Sequence, residues 1–150
     1  MRKIICVIAV MGLTVAWAAP AQAASHNIDS TVKLSAIEET GSPPVSGSAH
    51  YAGTIKGTLG SGAVVGTNVF GPVGVFTGTL RVYLNKGTIT GTLEGTGGPA
   101  QGGGLDFSGT GEVTKGSGKY KGAHGKFTFT GGQPADSTVA TQQIEGSVKY

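Results

Sequence analysis

Few side chains in this sequence carry chemistry of their own, and their spacing narrows what that chemistry could be. Three histidines occur, His26, His50 and His124, and no two stand at the short spacing that holds a metal ion. The single cysteine, Cys6, lies in an apolar run near the amino terminus. Beyond that run the chain has no thiol nucleophile, no thiolate ligand and no disulfide. A metal site is therefore not expected. Serines are frequent, but none sits in the strand-turn-helix context of a nucleophile elbow. The glycine clusters Gly102-Gly103-Gly104 and Gly116-Ser117-Gly118 have no helical pattern after them, so they read as turns and not as phosphate cradles. No cofactor is expected.

Carboxylates, one tyrosine and one histidine remain. Asp106 and Glu112 share the threonine-rich face of one strand pattern, which makes them solvated surface acids before it makes them an acid–base pair. Glu38 continues the parity of Leu34 and Ala36 at a strand end. It is either a rim carboxylate above an apolar cavity, desolvated and able to serve as acid, base or anchor, or the frayed end of a strand whose parity has flipped. Tyr120 and His124 lie in the glycine-punctuated stretch Gly116–Gly125. The tyrosine reads as a ring packed across a corner, and the histidine as an exposed turn side chain or the lining of a pocket mouth. Glu38, Tyr120 and His124 are the weak catalytic candidates, and together they define no reaction.

The elements that must position these groups are strands. Apolar and polar residues alternate with period two along most of the chain: Ile28-Val32-Leu34, Tyr51-Gly53-Ile55, Phe76-Leu80-Val82-Leu84, Ile89-Gly91-Leu93, Leu105-Phe107-Val113, Phe127-Phe129 and Ile144-Val148 each occupy one face. Threonine dominates the opposite face. Asn85-Lys86-Gly87 reads as a tight hairpin turn. Glu39–Ser46 reads as a loop because Pro43 and Pro44 cannot donate to a ladder, and the glycine-rich 97–104 and the stretch 131–137 read as loops too. The stretch Gly60–Gly71 is undecided between short strands and a bulged excursion. About eight half-buried strands and no long helical pattern predict an all-β protein, a closed antiparallel barrel that hides its strand edges. Many of the 28 glycines fall on the apolar face. Each costs roughly 0.5–1 kcal/mol relative to alanine, so they must supply curvature, room for a neighbouring ring, or an apolar cavity for a ligand.

Met1-Arg2-Lys3, the apolar run Ile4–Ala19 and the small-residue site Ala21-Gln22-Ala23 have the order of a secretory signal peptide. Residues 1–23 are thus expected to be removed, 24–45 to hold an N-terminal strand and a Pro/Gly loop, and 46–150 the main part of a single β-barrel domain. Arg2 and Lys3 leave with the leader, so nine basic residues face eight acidic ones, against a net charge of +3 for the whole chain. The lysines are scattered, with only Lys119 and Lys121 close together, and no aromatic-basic stripe marks a nucleic-acid surface. A secreted or periplasmic location follows. Stable membrane insertion is not expected, since only one strand face is apolar; a small outer-membrane barrel is the rival reading.

Gly116-Ser117-Gly118-Lys119-Tyr120-Lys121-Gly122-Ala123-His124-Gly125 resembles the glycine-rich corner signature of the barrel shared by allene oxide cyclases, dirigent proteins and small exported bacterial relatives. The likeness extends in pattern from about Ser46 to Tyr150 and is close only in these ten residues. It implies the barrel fold and, for function, either cofactor-free cyclisation or isomerisation of an apolar substrate, or dirigent-like guidance of a coupling. No residue of those activities can be matched to a position here. Binding of a small apolar ligand or a surface partner is the broader expectation, with oligomer formation left open. An internal cavity with a desolvated polar group would distinguish the enzymatic reading from a filled scaffold. Processing after Ala23 is checked by the intact mass of the exported form, which is expected to lack Cys6.

Overall fold

The computed structural model describes residues 23–150; the expected signal peptide 1–23, all but its last residue, lies outside them. The alternating segments form eight antiparallel strands: β1 (Ser25–Ser42), β2 (Ser46–Gly57), β3 (Gly60–Phe70), β4 (Val75–Leu84), β5 (Gly87–Pro99), β6 (Leu105–Gly116), β7 (His124–Gln133) and β8 (Val139–Lys149). Each pairs with its sequence neighbour, and β1 pairs with β8 from Ser25↔Lys149 to Ser35↔Val139, which closes the barrel. The N-terminal segment is therefore a wall strand of the same barrel.

The inward residues include the expected apolar faces, joined by Val64 and Phe70 from the stretch left undecided. Ile28, Val32, Ile55, Val64, Phe70, Phe76, Val82, Ile89, Val113, Phe127, Phe129 and Val148 are buried in one cluster. Phe76 is its hub, with the rings of Phe70, Phe129 and Phe107 at 5.4, 6.0 and 6.3 Å. The inward glycines of β5 and β6 make the room. A Cβ on Gly95 would lie 2.9 Å from Phe129 and 3.0 Å from Phe76, and one on Gly109 would lie 2.7 Å from Phe129. Gly97 stands in the same relation to Phe107, and Gly111 to Phe127. Among the described residues Ser30 is the one buried hydroxyl without a hydrogen-bond partner.

Four local expectations change, the first at Gly97–Pro99, which are not loop but the end of β5, paired with Leu105–Phe107. Glu39–Ser42 are not loop: they pair with Ser46–Ala49, and only Pro43–Val45 form the turn, since only the prolines are unable to join a ladder. Gly60–Phe70 is one continuous strand, and Gly131–Gln133 belong to β7, held by Phe107↔Gly131 and Leu105↔Gln133. In each case pairing across the barrel overrides a local glycine or proline signal.

The barrel has two unlike ends. At one, the β6–β7 connection folds back over the opening. Tyr120 is buried there, donates its hydroxyl to the Leu59 carbonyl at 3.2 Å and meets the Tyr150 ring edge-on at 4.9 Å. His26 stacks on the other side of Tyr150 at 4.2 Å. This end is plugged. The other end, ringed by the β1–β2, β3–β4, β5–β6 and β7–β8 turns, leads to the interior cavity.

Truncating Phe127 to alanine is expected to cost about 3–5 kcal/mol in urea unfolding. Gly116→Ala drives a Cβ into the Tyr120 backbone carbonyl and should cost more than Gly122→Ala, where φ is +81° but the space is open and the penalty is about 1–2 kcal/mol. His124→Ala should be close to neutral. A large loss for His124→Ala beside a small one for Phe127→Ala would invert the assignment of faces.

Candidate functional site

The interior is not completely filled. Beside the phenylalanine cluster, which forms part of its wall, a cavity of about 90 Å³ remains, bounded also by Val32, Leu34, Ile55, Leu80, Leu93, Ala140 and Ile144 among others. Polar groups enter its lining from five strands: Glu39 on β1, Tyr51 on β2, Asn68 on β3, Gln133 on β7 and Gln142 on β8. Pro43, Pro44 and Phe107 stand at the same end.

Strand parity explains how these residues come to face inward. Tyr51 precedes Gly53 and Ile55 on the buried face of β2, and Asn68 follows Val64 and Gly66 on that of β3. Asn68 lies opposite Gly78 on β4, where an added Cβ would collide with the Asn68 carboxamide oxygen. Gly78 thus creates the recess that the amide occupies. A carboxamide on an apolar face needs a partner, and Asn68 shares the cavity wall with the Tyr51 hydroxyl, close enough to act on it.

The environment of Tyr51 is unlike that of a surface phenol. Burial pushes its pKa from 10.0 up to about 12, the Asn68 side chain offsets part of the rise, and the charge of Glu39 adds to it. At neutral pH Tyr51 is a protonated hydroxyl that donates a hydrogen bond; it is a poor base and a weak acid. The cavity can hold an apolar body and satisfy one polar group, and no nucleophile in it is poised for covalent chemistry.

The sequence-derived candidates are not assembled in this site. The register of β1 against β2 slips between Ala36 and Glu38, leaving Ile37 as an extra, exposed residue. The bulge reverses parity. Glu38 pairs with His50, whose Nδ1 bonds Thr67 Oγ1 at 2.9 Å on the outer wall, whereas Glu39 pairs with the fully buried Ala49 and borders the cavity. The rim carboxylate is Glu39, one residue further on. Tyr120 and His124 lie at the plugged end. His124 is exposed, with Nδ1 3.0 Å from the Gly122 carbonyl, and Tyr120 is a structural plug whose hydroxyl burial also pushes upward in pKa. Asp106 and Glu112 are exposed on the outer wall, where Glu112 pairs with Lys126 at 3.2 Å.

Tyr51 and Asn68 were within reach of sequence reasoning. Tyr51 stands at the head of an inward alternation, and the series Gly62, Val64, Gly66, Asn68, Phe70 has period two across the stretch left undecided. An asparagine among inward apolar residues was the signal. Comparison of the chain with protein-family models, curated proteins and solved structures finds no match.

A folded-state pKa above the unfolded value favours the folded state in full below pH 10, and that contribution is lost as pH rises toward about 12. The tyrosinate absorbance of the four tyrosines should therefore include a component centred near pH 12 that is missing in Tyr51→Phe. Stability of the unmutated protein should fall more steeply than that of the variant over the same interval. A component lost from the variant near pH 10 and not near pH 12 would place Tyr51 in solvent.

Proposed function

We propose that this protein is an exported, water-exposed barrel that binds a small, largely apolar molecule in its interior through the open end. The observation that carries the reading is the cavity itself: an apolar recess with a desolvated tyrosine–asparagine pair in its wall, in a barrel whose other end is plugged. The enclosed volume limits the guest. About 90 Å³ is the space of roughly three waters, and a cavity of about 150 Å³ is what takes a benzene ring, so the guest is a short chain or a small ring with its remainder in the mouth.

Binding is favoured over catalysis because Tyr51, held protonated, orients a ligand without exchanging protons near neutral pH. A dirigent-like or cyclase-like guide, working by shape, would use the same cavity and is the second reading, supported by the desolvated hydroxyl. The glycine-rich corner that resembles those families is at the plugged end, so the likeness bears on scaffold and not on the site. The outer wall supports a water-facing barrel: Lys33, Lys56, Arg81, Glu94, Glu112, Lys126 and Glu145 are exposed around it, where a lipid-facing wall would carry a continuous apolar band.

Leu93→Trp fills the cavity from β5. Titration with short-chain alcohols, followed by the side-chain methyl resonances of Leu80 and Ile144, should show saturable shifts in the unmutated protein and none in Leu93→Trp, with circular dichroism confirming that the variant is folded. Equal shifts in both proteins would mean that the compounds bind elsewhere.

A further inference from the structure

Charge is sorted along the barrel axis. Lys86, Lys115, Lys119, Lys121 and Lys149 lie in or beside the turns of the plugged end, with Asp29 beside its β2–β3 turn, while Glu38, Glu39, Asp106 and Asp136 lie in or beside those of the open end. No lysine, arginine or histidine lines the cavity among the described residues, and Glu39 is its one charged side chain. A ligand entering the mouth therefore meets negative charge and finds no cation inside.

The polar groups deeper in the lining are neutral. A carboxamide offers two donors and an acceptor, and a phenol one donor and an acceptor site, so Tyr51 and Asn68 together present hydrogen-bonding capacity to a ligand. That capacity satisfies a hydroxyl or a carbonyl. It does not satisfy a carboxylate or a phosphate, which on leaving water needs a cation or several converging N–H donors. Glu39, close enough to act on the Tyr51 hydroxyl, opposes an anion at that position directly. Gly78 reserves the recess for the amide, so the neutral pair is built into the wall by two strands and is not an accident of one side chain.

On the reading of the interior as a ligand cavity, the geometry points to a neutral ligand: a short apolar body with one hydroxyl or carbonyl group set against Tyr51 and Asn68, carboxylates and phosphates being excluded. Free fatty acids fall outside the class; alcohols, ketones and aldehydes of similar size fall inside it.

Hexan-1-ol and hexanoate share a chain length and differ in the head group. Both are titrated at pH 7 into isotopically labelled protein, with the Leu80 and Ile144 methyls reporting occupancy and the Asn68 side-chain amide reporting the head. Hexan-1-ol is expected to bind at least about tenfold more tightly than hexanoate, a difference of about 1.4 kcal/mol. Tyr51→Phe, which keeps the ring, should cut that advantage to below about threefold, and Asn68→Leu should do the same. Glu39→Gln should strengthen hexanoate while leaving hexan-1-ol within about twofold. Hexanoate binding as tightly as hexan-1-ol would overturn the neutral-head assignment and leave the cavity reading standing. Methyl shifts from neither compound would overturn both.

Discussion

Phenylalanine rings packed inside so narrow a barrel need recesses, and the glycines of the facing strands supply them. Phe76 on β4, Phe107 on β6, and Phe127 and Phe129 on β7 lie against Gly95 and Gly97 of β5 and Gly109 and Gly111 of β6, at separations that leave no space for a methyl group. A chain with alanine at these positions would have to expel the rings or open the barrel. Each glycine weakens its strand in isolation. The combined loss is offset by burial of large apolar rings, each able to remove 150–250 Å² from water, in a cluster whose edge-on and tilted contacts add about 0.5–1.5 kcal/mol per pair. Glycine-rich and phenylalanine-bearing strands are thus two halves of one packing arrangement, and neither is stable without the other.

The same arrangement leaves space where it stops. At the plugged end Tyr120 and Tyr150 fill the section, fixed by the Leu59 carbonyl and the His26 ring. Midway, the phenylalanines take up the glycine recesses. Beside them the cavity wall carries the smaller Ala36, Leu80, Leu93, Ala140 and Ile144, and there Gly78 accommodates an asparagine and not a ring. The cavity is the region where the device that fills the rest of the barrel is used to admit a polar group. This placement links packing to chemistry: a carboxamide and a phenol are held in an apolar wall, where the ionised form of the phenol is disfavoured and each group gains from a partner.

Much of the fold was legible from period-two alternation, because burial on one face is a local property of each strand. The inward role of Phe127 and Phe129, the threonine outer face and the Asn85-Lys86 hairpin follow from it directly. What was not legible depends on register between strands. For Glu38 the parity of Leu34 and Ala36 left a rim position and a flipped parity both open, and the bulge at Ile37 flips it, handing the rim position to Glu39. Nothing in the local sequence marks a bulge that exists because β1 is paired with β2 along one stretch and with β8 along another. The Pro/Gly stretch misled in the opposite direction: Gly41 and Gly47 are partners in a ladder that continues to Ser42↔Ser46, almost up to the prolines. Of the candidate side chains, Tyr120 was read correctly as a packed corner ring, while the pair that does line the cavity, Tyr51 and Asn68, is separated by sixteen intervening residues and joined by an antiparallel ladder.

Topology also converts a scattered sequence feature into a spatial one. In an up-and-down barrel every second turn falls at the same end, so residues about twenty to thirty positions apart become neighbours around one rim. Lys86 in the β4–β5 turn and Lys119 and Lys121 in the β6–β7 connection come to one end by this rule, joined by Lys149 at the close of β8. Glu39, Asp106 and Asp136, near the alternate turns, come to the other. Single lysines spaced along a chain of nearly balanced charge therefore describe a molecule with an electric axis. Fields of this kind act over about a Debye length, 8–10 Å at physiological salt, which is enough to bias what approaches a barrel mouth. The cavity opens at the negative pole and has no internal cation, so the long-range field and the short-range hydrogen bonding select in the same direction. A wall that used Gly78 to seat a lysine in place of Asn68 would oppose its own rim; the asparagine makes the two agree.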